Sequence, residues 1–123
     1  MDAAAAGQPT IDRSALDKVL QLGGAKLLRR LIDMFLENAP ERLDRARTAE
    51  RNGDMDGLER ATHSLKSTAG NLGARRLQML AERIEDRAAA LDTTAVRPLL
   101  PELENAYAAA RTALLQEKEK LAT

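Results

Sequence analysis

The chain has no cysteine and no tryptophan, one histidine, and only Phe35 and Tyr107 as aromatics. Without cysteine there is no disulfide framework and no thiolate chemistry, which fits a reducing compartment. Few aromatic and β-branched residues leave little material for strands. Nineteen basic residues balance nineteen acidic ones, removing the usual electrostatic case for nucleic acid or an anionic membrane as partner. No run approaches the roughly twenty apolar residues of a membrane span. Met1–Gly7 carries neither a basic segment nor a long apolar one, so no secretory signal is evident and a cytoplasmic, soluble protein is expected.

What is present is alanine, leucine, arginine and glutamate in helical periodicity. At 123 residues and 44% hydrophobic, the chain suits one domain with one modest core. Residues 1–10 are expected to be a flexible tail and 11–123 a single helical domain, with the last few residues frayed. A short helix is predicted from Ile11 through Leu16, Val19, Leu20 and Leu22, capped by Asp12 or Ser14 and ended by Gly23-Gly24. Leu28, Leu31, Ile32, Phe35 and Leu36 predict a helix from Lys26 to about Asn38. Pro40 suits the start of a further helix, which Leu43, Ala46 and Ala49 carry to Asn52-Gly53.

Asp54 is placed to cap the next helix, and Gly73 to close it in a left-handed conformation. A helix from about Ala74 to Leu91 follows, with Leu77, Leu80, Ile84, Ala88 and Leu91 on one side. The very short connection makes these two helices antiparallel neighbours. Asp92, Thr93 and Thr94 supply caps before a last long helix, whose first turns Pro98 and Pro101 make irregular. The long segments give an all-α, antiparallel up-down-up-down four-helix bundle, with the short N-terminal helix packed across one end.

The stretch from Ala61 to Gly73 holds the lone histidine. Its apolar stripe runs through Leu58, Ala61, Leu65, Ala69 and Leu72, and at roughly 100° per residue His63 points away from that stripe toward water. Glu59, Arg60, Lys66, Ser67 and Gly70 fall on the same face as His63, together with Asp56. An exposed imidazole with an ammonium one turn away is a place for an anion and for the approach of another protein.

A neutral imidazole carries a ring lone pair and can act as a nucleophile without a separate base. Ser64 and Ser67 could belong to a hydroxyl-based triad, but no acid is evidently placed to hold the ring. A di-metal carboxylate site needs two Glu-x-x-His pairs, and Arg60 stands where that glutamate would be. Nucleotide-binding glycine loops are absent, so a kinase is not indicated. Phosphoryl acceptance asks only for an in-line nucleophile and positive charge near the phosphoryl oxygens, and His63 with Lys66 supplies both.

The run His63-Ser64-Leu65-Lys66-Ser67, followed by Ala69-Gly70-Asn71-Leu72-Gly73, resembles the motif of the histidine-containing phosphotransfer (HPt) domain of multistep two-component phosphorelays. Phe35 and Leu36 before Pro40, Asn52-Gly53-Asp54, Leu77 and Ile84-Glu85 resemble its flanking features. The resemblance implies a signal-transduction phosphocarrier, not an enzyme: His63 takes the phosphoryl group on Nε2 and Lys66 stabilises it, while Gly73 closes the turn. It also implies response-regulator receiver domains as donor and acceptor, with a hybrid histidine kinase as a further partner. Mg²⁺ is expected in the partner receiver; no cofactor or metal is expected in this chain, and the expected state is a monomer. Glu59, Arg60, Ser67 and Gly70 are the expected partner-binding set. Ser67 departs from the family's usual glycine and bears on docking and partner choice. A non-phosphorylated adaptor and, more remotely, a small hydrolase using His63 as base are the alternative functions.

Overall fold

The structure, a computed structural model, describes residues 10–122. All but the last residue of the expected flexible tail, Thr10, lies outside the described residues. Helix α1 spans Arg13–Arg51, α2 Met55–Asn71, α3 Arg75–Ala89, α4 Thr93–Val96 and α5 Leu99–Ala122. The second arm of α1 forms a bundle with α2, α3 and α5: α2 packs on both α1 and α3, and α5 closes the ring against α3 and α1. Leu28, Ile32, Leu58, Leu65, Leu77, Ile84, Leu103 and Leu114 fill the core. Phe35 and Tyr107 join α1 to α5, with ring centroids 5.8 Å apart.

The first arm of α1 is the expected short helix across one end. Gly24, at φ 71° and ψ −168°, is the one position inside α1 that leaves helical geometry, so the Gly23-Gly24 pair bends the chain as expected, without a connecting loop. Asp12 caps the arm by accepting from the backbone N–H of Ser14 at 3.0 Å. Arg13 then reaches Glu117 near the end of α5 at 2.6 Å.

Three expectations need correction. Pro40 does not begin a helix but lies inside α1. It sits on the exposed face, where water can meet the Leu36 carbonyl that lacks its usual donor, while buried Phe35, Ala39 and Leu43 hold both sides of the helix on the core. Leu91 is not core: α3 ends at Ala89, and Leu91 adopts φ 59° and is 73% exposed. Leu22, at the edge of the bend, is 82% exposed.

The turn between α2 and α3 positions the site. Gly73 has φ +75°, and a Cβ there would come within 2.6 Å of the Asp12 carbonyl oxygen and 3.0 Å of Ala15 Cβ. The Asp12 N–H donates to the Gly73 carbonyl at 2.8 Å, and Arg75 pairs with the Asp12 carboxylate at 3.1 Å. The N-terminal arm therefore seats directly on the tight turn that sets α2 and α3 side by side. Among the described residues, no helix is long and apolar enough to cross a membrane.

Candidate functional site

Asp54 starts α2 by accepting from the Gly57 N–H at 2.9 Å. Leu58, Ala61, Leu65, Ala69 and Leu72 are all buried, and that stripe turns His63 outward, its side chain 64% exposed. Thr62, buried beside it, satisfies its hydroxyl within the helix by donating to the Leu58 carbonyl at 2.9 Å.

The imidazole is not free. Its Nδ1 lies 2.7 Å from Oε2 of Glu85 on α3, and Oε1 of the same carboxylate accepts from Lys66 Nζ at 2.8 Å. One carboxylate, 14% exposed, thus fastens both residues singled out by the sequence. Burial pushes the Glu85 carboxyl up, but the hydrogen bonds from Lys66 and then His63 outweigh it and hold the group below the usual glutamate value. Lys66 is correspondingly pushed up, first by its hydrogen bond to Glu85, against the opposing effect of burial.

An ionised carboxylate only accepts hydrogen bonds, so Nδ1 must carry the ring proton. The lone pair then lies on Nε2, which has no partner among the described residues. The expectation that no acid holds the ring is therefore overturned. The role of Glu85 was missed because it depends on how α3 lies against α2. The available signal was the short Leu72-Gly73-Ala74 turn: His63 and Glu85 lie at nearly equal chain distances on either side of Gly73, hence at similar heights in an antiparallel pair.

The other expected residues differ in their surroundings. Arg60 is exposed and pairs with Asp56 at 3.1 Å. Glu59 is half-buried and Ser67 exposed, and neither bonds to His63 or Lys66. Gly70 faces α3: a Cβ there would come 2.9 Å from Gln78 Nε2, and Arg75 donates to both the Gly70 carbonyl and Gln78 Oε1, at 3.3 and 2.9 Å. No described hydroxyl bonds to the ring, so the serine–histidine part of a triad is not assembled. Among the described residues, no group of three or more His, Cys, Asp or Glu is placed to hold a metal ion.

The site is an outward-facing imidazole on a helical bundle, bonded to a carboxylate that a neighbouring ammonium shares. The Hpt domain family model matches residues 30–113, about two thirds of the chain, and the chain belongs to the Hpt domain family. Its fold is similar to the crystal structure of histidine-containing phosphotransfer protein B (HptB) from Pseudomonas aeruginosa PAO1, with a TM-score of 0.86 and 24% sequence identity over 93% of this chain and 98% of that one. Comparison with curated protein sequences found no match.

Proposed function

We propose that the protein is a phosphorelay intermediate that accepts a phosphoryl group on His63 Nε2 from the aspartyl phosphate of one receiver domain and passes it to another. The observation that carries this is the Glu85 carboxylate, bonded to His63 Nδ1 at 2.7 Å and Lys66 Nζ at 2.8 Å. It keeps the proton on Nδ1 and turns the Nε2 lone pair outward.

In the forward step Nε2 attacks phosphorus in line with the aspartyl oxygen. The N–P bond forms as the O–P bond breaks, and the aspartate leaves as its carboxylate. No proton need move, because the attacking nitrogen carries none. As positive charge grows on the ring, the nearby Glu85 carboxylate stabilises it at Nδ1. Lys66 spends one of three N–H donors on Glu85 and offers the others to the phosphoryl oxygens. Transfer onward is the same path reversed on a second receiver.

The exposure of His63 suits a reaction carried out between two proteins, with the donor's Mg²⁺ completing the site. Glu59, Arg60, Ser67 and Gly70, around the histidine, form part of the docking face, which a monomer presents to receivers or to a hybrid kinase in the cytoplasm. The test is transfer from a panel of radiolabelled phospho-receivers to the wild type and to His63→Gln, with each labelled product then offered to unlabelled receivers. Acid-labile, base-stable label that requires His63 and moves on to a second receiver supports the proposal. Receiver binding without labelling leaves an adaptor.

A further inference from the structure

Lys66 and Ser67 flank His63 on opposite sides. At roughly 100° per residue around α2, Lys66 lies about 60° from His63 in one direction and Ser67 about 40° in the other. Lys66 and His63 share the Glu85 carboxylate, so the Lys66 side is the side of α3. The two nitrogens of an imidazole point in widely diverging directions from the ring. With Nδ1 turned to Glu85, Nε2 is aimed away from α3, over the part of the face that carries Ser67.

Ser67 is exposed, and its hydroxyl bonds to no described residue. The threonines of the same helix behave differently. Thr62 and Thr68 donate to the carbonyls four residues earlier, Leu58 and Ser64, at 2.9 and 3.2 Å, whereas the Ser67 hydroxyl makes no such bond to the His63 carbonyl. The Ser64 hydroxyl is also unbonded but lies about 100° round the helix from His63. Arg60, on the Ser67 side one turn earlier, is engaged by Asp56 at 3.1 Å.

A helical Cβ tilts toward the N-terminus, so the Ser67 hydroxymethyl group leans back over the turn that holds His63, the two Cβ atoms roughly 5–6 Å apart. A phosphoryl group on Nε2 carries its oxygens beyond the ring, and a hydroxyl meets such an oxygen at about 2.5–3.0 Å. We propose that the Ser67 hydroxyl donates a hydrogen bond to a phosphoryl oxygen on His63 Nε2, on the side opposite Lys66. The inference rests on the reading of His63 as the phosphoryl acceptor. Because the bond exists only in the phosphorylated form, it stabilises that form and biases exchange with a receiver toward this protein.

The test begins without a receiver. His63, the only histidine, is phosphorylated chemically with phosphoramidate in the full-length wild type, Ser67→Ala and Ser67→Gly, and the phosphoryl group is titrated by ³¹P NMR. A donor favours the dianion over the monoanion, so both variants should raise the phosphoryl pKa by about 0.3–1 unit. In a second measurement, the equilibrium constant for exchange with one phospho-receiver should fall by about two- to tenfold in both variants. Measured where the complex does not accumulate, that constant is blind to docking contacts, which alter only the rate. A pKa unchanged in Ser67→Ala, a change confined to Ser67→Gly, or an altered transfer rate at an unaltered equilibrium overturns the proposal. A raised pKa in both variants without transfer from any receiver supports the hydrogen bond and counts against the carrier reading alone.

Discussion

His63 Nδ1 and Glu85 Oε2 stand 2.7 Å apart across the α2–α3 interface, and this pair leaves Nε2 as the ring nitrogen without a bond to any described residue. Glu85→Gln preserves the shape but removes the charge and sets an amide against Lys66. A hydrogen bond to a charged group contributes about 1.5–3 kcal/mol. If that interaction is realised in the transition state, transfer to His63 should slow by roughly ten- to a hundredfold, with Glu85→Ala at least as slow. Initial rates from a phospho-receiver measure this, and a rate unchanged in both variants would remove Glu85 from the mechanism.

The same carboxylate predicts an acid dependence of stability. Glu85 is held below its ordinary value of 4.5 because Lys66 and His63 outweigh burial. Its contribution is therefore present above that value and lost as pH falls through the lower folded value. Asp12, lowered chiefly by its hydrogen bonds from Ser14, and Glu117, where Arg13 overcomes burial, act with the same sign. Urea midpoints from about pH 6 to about pH 3 should converge for the wild type and Glu85→Gln as pH drops. A constant gap would show that folding does not lower the pKa of Glu85.

Gly53 and Gly73 separate backbone strain from collision. Both have positive φ, but a Cβ on Gly53 meets nothing within 4 Å, while one on Gly73 strikes the Asp12 carbonyl and Ala15. Gly53→Ala should cost about 1–2 kcal/mol for the left-handed conformation alone. Gly73→Ala should cost clearly more, because the N-terminal arm must also shift. Equal losses in denaturant unfolding would mean that the arm is not seated on the turn.

Leu91 offers the opposite case, a leucine at φ 59° with its side chain 73% exposed. Leu91→Gly removes the left-handed penalty and gives back part of the gain as unfolded-chain entropy, so stability should rise by roughly 0.5–1 kcal/mol. A fall in the unfolding midpoint would show that Leu91 contributes packing beyond that conformation.

These residues also show how far the sequence could be read. The outward placement of His63 was legible, because the stripe from Leu58 to Leu72 and the direction of its helix are local properties. Gly73 was legible for the same reason, as a left-handed helix end. Pro40 was not: its local preference for a helix start is outweighed by the burial of Phe35, Ala39 and Leu43 on one continuous helix. Leu91 fits the apolar spacing of α3, but the helix ends before it. Glu85 was legible only as a flanking match beside Ile84; its bonds to His63 and Lys66 depend on how α3 lies against α2 and were not.

The most direct test of the central claim is the site of phosphorylation itself. Wild-type protein phosphorylated by a receiver should show, by ³¹P and ¹⁵N NMR, a single phosphoryl group on His63 Nε2, with the proton retained on Nδ1. Phosphate on Nδ1, on a serine, or on no residue of a folded, receiver-binding protein would contradict the account.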